Sequence, residues 1–212
     1  MQLILVCGPW SSGTTAVARV LDELGLKGIA PYFQTNDERT KNSFESLAFR
    51  EVVDQLASEQ TLQLKVSGPV AVQALLGFRE KLTADGVVGE NQGPIFLKYP
   101  LSALLIPQIA MMFETRLLYV LRPFGEIEAT RQRRGWSSNL GAAGAEVLYS
   151  KMFQVLVDLQ IPTMVIRYPE LLATRRRHAR QIASFCGLPL DETRIDAAVQ
   201  SIRRPRTVVE PA

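Results

Sequence analysis

Residues 3–15 of the chain read LILVCGPWSSGTT. The apolar run Leu3–Cys7 is short and is followed by glycine and proline, which is typical of a strand buried on both faces. After Gly13, apolar side chains recur at helical spacing until Gly25, so an amphipathic helix is expected between these two glycines. A strand, a glycine-bounded loop and a helix in direct succession predict the first unit of a parallel α/β sheet.

The loop of this unit has the glycine spacing of a phosphate-binding loop, with Gly8 and Gly13 separated by four residues. Such loops point backbone N–H groups at an anion, and the dipole of the following helix adds to the attraction. The residues expected to contribute are Ser12, Gly13, Thr14 and Thr15. Thr14 stands where common NTPases carry a lysine for the β and γ phosphates, which argues against ordinary ATP or GTP hydrolysis. The alternative is a plain strand-to-helix turn with a Ser or Thr cap.

Beyond this unit, predicted strands and helices alternate along the chain. The polar, turn-rich segment 28–42 is predicted to be a loop. Further strands are expected at 62–66, 95–97, 116–121 and 163–166. Helices are expected at 43–56 with Ser43 as N-cap, and at 70–82, 101–113, 125–134, 140–159, 169–185 and 191–201.

This alternation predicts an α/β fold in three layers, with a central, mainly parallel sheet flanked by helices. Ligands of such sheets bind at the carboxyl ends of the strands, which here lie after Cys7, Leu97 and Leu121. No repeat, low-complexity tract or linker interrupts the sequence. We therefore expect a single domain over residues 1–212.

Composition excludes several classes of function. With 47% apolar and 21% charged residues, the chain is expected to be globular rather than disordered. Two cysteines and one histidine cannot build a disulfide framework or a multi-histidine metal site, so no metal is expected. A net charge of +3 is too small to imply nonspecific nucleic-acid binding. The apolar start is too short for a signal or a membrane span, and a reducing, cytoplasmic location is expected.

Several segments, in order, resemble the sulfotransferase family, whose sulfuryl donor is 3′-phosphoadenylyl sulfate (PAPS). SGTT at 12–15 resembles the family's 5′-phosphosulfate loop. LYVLRPFGEIEAT at 118–130 resembles its 3′-phosphate segment, a strand ending in Arg with a Ser or Thr eight residues on. RYPEL at 167–171 and ASFCGLP at 183–189 resemble its R-Y-E-D-L and F-L-G-L-P segments, and FLKYP at 96–100 is similar to W-K-D-P. The resemblance implies a P-loop sulfotransferase fold.

By this resemblance, Arg122 and Thr130 bind the 3′-phosphate that distinguishes PAPS from ATP. The residue types agree independently, because Arg122 ends a predicted strand and its planar guanidinium suits a terminal phosphate. The alternative is a surface arginine that pairs with Glu126 one helical turn away.

The sequence also departs from the family pattern. Ser11 stands where the family usually has Lys or Arg, and it is retained as a candidate catalytic and donor-binding residue. We expect Lys98, which follows a buried strand, to supply the missing cation; the alternative is a strand-end lysine in solvent. Tyr99 replaces a common Asp. The family's C-terminal R-K-G segment is absent, and Arg203, Arg204 and Arg206 either substitute for it or form a solvated basic tail.

Sulfuryl transfer also needs a base that takes the proton of the acceptor. Other families with this fold use a glutamate shortly after the first helix, and the candidates here are Asp37, Glu38 and Glu45. Glu45 is favoured, and the alternative is a glutamate at a helix start that only the helix dipole stabilises. His178 lies in a basic, exposed-looking helix and is not favoured.

The expected activity is sulfuryl transfer from PAPS to a hydroxyl or amine of a small-molecule or carbohydrate acceptor, with 3′,5′-adenosine bisphosphate (PAP) as product. One alternative is a P-loop kinase of a small metabolite that uses ATP and magnesium. The other is a nucleotide-binding member of the family without turnover, which the missing cation at Ser11 favours. The aromatic residues expected either to line the acceptor pocket or to join the core are Trp10, Tyr32, Phe33 and Trp136.

Overall fold

The apolar run at the start of the chain forms a buried strand at the centre of a parallel sheet. The computed structural model describes residues 2–37, 40–89 and 93–202. Its strands are β1 (Gln2–Cys7), β2 (Lys27–Gly28), β3 (Tyr32–Gln34), β4 (Asn42–Ser46), β5 (Ala57–Ser58), β6 (Gln63–Leu64), β7 (Ile95–Lys98), β8 (Glu114–Leu121) and β9 (Thr163–Arg167). Five of them form one parallel sheet in the order β2-β7-β1-β8-β9.

Helices cover both faces of this sheet, as a parallel sheet requires. They are α1 (Thr14–Glu23), α2 (Leu47–Leu56), α3 (Gly68–Ala84), α4 (Ile106–Met112), α5 (Phe124–Arg134), α6 (Ala142–Asp158), α7 (Tyr168–Ala173), α8 (Arg175–Phe185) and α9 (Glu192–Ser201). Side chains of β1 alternate between two cores. Leu3 and Leu5 pack with α2, α3, α4 and α6, whereas Ile4 and Val6 pack with α1, α8 and α9. The predicted three-layer α/β fold is confirmed.

Strand register brings the carboxyl ends of three neighbouring strands to one edge. Val6 of β1 is in register with Lys98 of β7, and Cys7 is in register with Tyr119 of β8. The loops that follow β1, β7 and β8 therefore start side by side, as expected for the ligand edge of such a sheet.

The prediction of a helix N-cap at Ser43 is wrong. Residues Asn42–Ser46 form β4, which pairs antiparallel with β3. The hairpin buries Phe44, and Ser43 uses its hydroxyl within the hairpin by donating to the carbonyl of Phe33 (2.7 Å). The true N-cap is Ser46, whose hydroxyl oxygen accepts the N–H of Phe49.

Other boundaries also differ from the prediction, among them that of the helix expected at 101–113, whose α-helical part is only α4. Segment 62–66 contributes only the two residues of β6, which pair with β5 outside the main sheet. Segment 28–42 is not one loop, because it begins at the last residue of β2, contains β3 and ends at the first residue of β4. The helix expected at 169–185 is broken at Thr174, where both the N–H and the hydroxyl donate to the carbonyl of Glu170 (2.8 and 3.0 Å) and the backbone leaves helical geometry.

No helix within the described ranges is long and apolar enough to cross a lipid bilayer. The same residues contain no group of three or more His, Cys, Asp or Glu side chains that could hold a metal ion.

Candidate functional site

The loop between β1 and α1 ends on an uncapped helix N-terminus. Gly13 is the N-cap residue, has φ 103°, and gives α1 no side-chain cap. The alternative of a turn capped by Ser or Thr is therefore wrong. The first N–H groups of a helix have no partner within it, so this end of α1 is suited to an anion. The amide of Ser12 is already used, because it donates to the carbonyl of Pro9 (3.2 Å).

Two loop hydroxyls are buried with no hydrogen-bond partner among the described residues, those of Ser11 and Ser12. Ser12 is fully buried and its Oγ lies against Gly8, where an added Cβ would come within 2.6 Å of it. A buried hydroxyl without a partner costs about 1–3 kcal/mol. Together with the first N–H groups of α1, these hydroxyls form a set of hydrogen-bond donors whose chemistry fits an anionic group with several acceptor oxygens, such as a phosphate or a phosphosulfate.

Arg122 follows β8 and reaches back to this loop. Its Nη1 donates to the carbonyl of Ser11 (2.8 Å) and to Oγ1 of Thr130 (3.3 Å). Its Nε also donates to Glu126 (2.9 Å), the partner of the surface alternative. Arg122 thus makes the surface ion pair and the loop contact together, and the structure brings Arg122, Thr130 and Ser11 to one place.

Two tyrosines that sequence reasoning missed hold Arg122 in position. Tyr149 of α6 accepts the backbone N–H of Arg122 (2.9 Å), and burial raises the pKa of Tyr149 to about 12. The ring of Tyr168 lies against the Arg122 guanidinium, 5.1 Å from centroid to Cζ. The same ring covers Gly13, where an added Cβ would be 2.2 Å from Tyr168 Cδ2. Tyr168 directly follows β9, and that position at the ligand edge was the available signal.

Lys98 lies at the loop rather than in solvent. Its side chain is only 4% exposed. Its Nζ donates to Oγ1 of Thr15 (3.2 Å), to the carbonyl of Ser43 (3.1 Å) and to Oε1 of Glu45 (2.6 Å). The alternative of a solvated strand-end lysine is wrong, because the ammonium is buried next to the first turn of α1.

Glu45 lies in β4, so the alternative of a glutamate stabilised at a helix start is also wrong. Its first carboxylate oxygen pairs with Lys98, and its second pairs with Arg50 of α2. The Arg50 guanidinium lies between two aromatic rings, 4.1 Å from the centroid of Phe33 and 4.6 Å from that of Tyr99. Lys98, Glu45 and Arg50 therefore form a charge cluster beside the loop, and Arg50 was missed from the sequence.

Tyr99, which stands in place of the common Asp, is buried beneath this cluster. Its hydroxyl donates to Oδ1 of Asp54 (2.6 Å), and burial raises the pKa of Tyr99. Tyr99 therefore contributes packing and one hydrogen bond at this position, and it carries no charge.

Two of the remaining candidates, Asp37 and His178, have partners other than Lys98 and Glu45. Asp37 pairs with Arg134 (2.6 Å), whose guanidinium stacks on Trp136. His178 is buried on the inner face of α8 with Nδ1 2.9 Å from Thr174 Oγ1, so its expected exposure is wrong. Glu38 and the arginines at 203, 204 and 206 lie outside the described residues.

The other aromatic candidates divide between core and surface. Trp10 packs on the core that includes α2 and α6, and Tyr32 packs on Phe44 with 5.5 Å between centroids. Phe33 is 39% exposed and stays open to solvent above Arg50.

Comparison with known proteins gives no match to a protein-family profile and no match to a curated protein sequence. Solved structures do match. Sulfotransferase STF1 of Mycobacterium tuberculosis H37Rv aligns with TM-score 0.62 and 15% identity over 94% of this chain and 70% of that one. The sulfotransferase domain of the Synechococcus PCC 7002 olefin synthase aligns with TM-score 0.57 and 16% identity over 92% and 76%.

The chain has the sulfotransferase fold. A third match, the sulfotransferase domain of the curacin biosynthetic pathway, agrees with TM-score 0.51 and 16% identity over 96% of this chain and 78% of that one. The resemblance drawn from the sequence is thus confirmed for the sulfotransferase fold, with the loop after β1, Lys98 and Arg122 at one edge of its sheet.

Replacing Gly13 by Ala should destabilise the protein. The new Cβ would strain a residue at φ 103° and meet the Tyr168 ring, at a cost of order 1–3 kcal/mol for the backbone alone. Gly77→Ala is the matched control, because Gly77 lies inside α3 with open space around it and should gain about 0.5–1 kcal/mol. Urea unfolding of both variants measures the difference. Equal stability of the two would contradict the left-handed loop geometry.

Removing one partner of the buried Lys98–Glu45 pair should lower the free energy of unfolding more than removing one partner of an exposed ion pair. Glu45→Gln leaves the Lys98 ammonium buried without its carboxylate, and such losses are about 3–5 kcal/mol. Glu170→Gln, which breaks the exposed pair with Arg167, should cost below about 1 kcal/mol. The double variant Lys98→Met/Glu45→Gln should cost less than the sum of its single variants in urea unfolding. Additive losses would show that the two groups do not interact.

Proposed function

We propose that the protein transfers a sulfuryl group from PAPS to a hydroxyl or amine of a small-molecule or carbohydrate acceptor, releasing PAP. The observation that carries this proposal is the contact of Arg122 with the carbonyl of Ser11 and with Thr130. It sets a rigid five-donor guanidinium beside a phosphate loop that has no lysine. A donor with a second phosphate on its ribose would use both features, whereas ATP offers nothing to the arginine in that position.

On the donor side, the loop would bind the 5′-phosphosulfate through its helix N-terminus and the hydroxyls of Ser11 and Ser12. Arg122 and Thr130 would bind the 3′-phosphate, with Arg122 sharing its charge between this group and Glu126. The Tyr168 ring lies between these two regions and would contact the nucleoside that joins them. Burial raises the pKa of Tyr168, so this ring stays neutral beside the phosphates.

In the transfer step, the sulfur–oxygen bond to the leaving phosphate breaks as the acceptor oxygen or nitrogen bonds to sulfur. Negative charge develops on the leaving phosphate, and a cation aimed at it stabilises the transition state. Lys98 is the proposed cation, because its ammonium contacts Thr15 in the first turn of α1. Glu45 is the proposed base for the acceptor proton once Lys98 turns toward the phosphate and leaves Oε1 open.

Two observations favour a second candidate, nucleotide binding without turnover. Ser11 brings no charge to the loop, and the Lys98 ammonium is already paired with Glu45. A protein in which this pair never opens would bind PAP and transfer nothing. Assay with ³⁵S-labelled PAPS and a panel of alcohol, amine and sugar acceptors separates the two, since only the transferase yields labelled product.

PAP should raise the melting temperature more than 5′-AMP or ATP does at equal concentration, because only PAP offers a 3′-phosphate to Arg122. Arg122→Ala should remove most of this preference and leave the smaller effect of the 5′-phosphate. Arg180→Ala is the control, since Arg180 is an exposed arginine of α8 paired with Glu192. Equal shifts for PAP and 5′-AMP in the unmodified protein would overturn the assignment of the 3′-phosphate site.

Lys98→Met should abolish most transfer, by about a hundredfold or more, because a donor aimed at developing charge is lost. Adding Ser11→Lys should restore part of the rate by returning a cation to the loop. Initial rates with labelled PAPS measure both effects, and circular dichroism confirms that each variant is folded. Native rates in Lys98→Met would pass the role to another cation, such as Arg133 or Arg134.

A further inference from the structure

The two cations on Glu45 are held in different ways. Arg50 is fixed by its surroundings, because its guanidinium lies against the rings of Phe33 and Tyr99 and forms an ion pair with the carboxylate of Glu45. Two more acids, Asp54 and Glu59, lie nearby. Burial raises the pKa of Glu59, and the charge of Arg50 offsets part of that rise. The Arg50 guanidinium is thus held by two ring contacts and one ion pair, with two further carboxyl groups nearby.

Lys98 has no ring of the described residues against it: it is held by its ion pair with Glu45 and by two further hydrogen bonds, and one of these already goes to the phosphate loop. Its ammonium is a point charge on a flexible stem, so it can change partners by rotating its terminal bonds. The distance of 3.2 Å to Thr15 Oγ1 shows that an anion bound at the first turn of α1 would be within its reach. Such an anion competes with Glu45 for this one cation.

We infer that Arg50 is a positioning residue that remains on Glu45 as its counter-ion and thereby allows Lys98 to move from Glu45 to an anion in the phosphate loop. The inference rests on the phosphate-binding role of the loop in the proposed function. It assigns the two cations different tasks, since Arg50 holds the carboxylate and Lys98 serves the ligand.

Loss of Arg50 and loss of Glu45 should therefore act in opposite directions. Without Arg50, Lys98 is the sole cation paired with Glu45 and is held there more tightly. Without the negative charge of Glu45, Lys98 is released to the loop. A merely structural role would weaken binding in both variants.

The test uses inorganic pyrophosphate as the probe, with its dissociation constant measured by isothermal titration calorimetry on the full chain. Arg50→Met should weaken binding by about tenfold and Glu45→Gln should tighten it by about tenfold, the usual size of coupling between contacting charges. The double variant Arg50→Met/Glu45→Gln should bind within about twofold of Glu45→Gln alone, because Arg50 acts only through Glu45. Arg180→Met and Glu51→Gln are charge-matched controls on exposed side chains and should change affinity by less than about twofold.

A Lys98→Met background completes the test, since there neither the Arg50 nor the Glu45 substitution should change pyrophosphate affinity beyond the controls. Thermal unfolding establishes that each variant is folded. If the effects of Arg50→Met and Glu45→Gln on pyrophosphate affinity are additive, Arg50 makes only a general electrostatic contribution and the inference is overturned. Changes in affinity of equal sign, or no pyrophosphate binding by the unmodified protein, would also overturn it. If the pattern holds but PAP shows no advantage over 5′-AMP, the role of Arg50 stands and the proposed donor fails.

Discussion

A buried ammonium has to be neutralised at the end of β7, and much of the site is arranged around that requirement. Burying an isolated charge costs far more free energy than one hydrogen bond returns, so Lys98 needs a carboxylate and further acceptors close by. The chain supplies them from β4, through the carboxylate of Glu45 and the carbonyl of Ser43. The segment before α2 is the strand β4, which contacts β7. Arg50 pairs with the second carboxylate oxygen of Glu45.

The same edge of the sheet combines this cluster with the loop after β1 and the arginine after β8. The strands β1, β7 and β8 reach this edge together because they are parallel, with Val6 in register with Lys98 and Cys7 in register with Tyr119. The loop carries no side-chain charge, so the cations come from the two neighbouring strands. Lys98 approaches one side through Thr15, and Arg122 approaches the other through the carbonyl of Ser11. This division places two cations beside a loop that has no lysine of its own.

Local patterns predicted β1, α1 and the strand before Arg122, because burial on both faces and helical spacing leave direct traces in the sequence. Pairings between distant segments leave no such trace. β4 was missed because its pairing with β3 and the burial of Phe44 override the capping tendency of Ser43. Arg50 was missed because its importance comes from Phe33 and Tyr99, two rings that only the fold brings to its faces.

Resemblance to a family made Arg122, Thr130 and the loop candidates for donor binding, but it assigned no role to Tyr149 or Tyr168. Tyr149 binds the backbone N–H of Arg122 and Tyr168 contacts its guanidinium, and neither contact leaves a pattern in the sequence. The extent of the chain as a single domain stays a prediction, as do the catalytic roles of Glu45, Lys98 and Ser11 and the donor-binding roles of loop residues 11–15, Arg122 and Thr130.

A crystal structure of the complex with PAP would show whether the loop and Arg122 bind the two ends of the donor. We predict the 5′-phosphate at the N-terminus of α1, with the Lys98 ammonium turned toward it, and the 3′-phosphate within hydrogen-bond distance of Arg122 and Thr130. A nucleotide whose 3′-phosphate points into solvent, with Arg122 still bound only to Ser11, Thr130 and Glu126, would contradict this prediction.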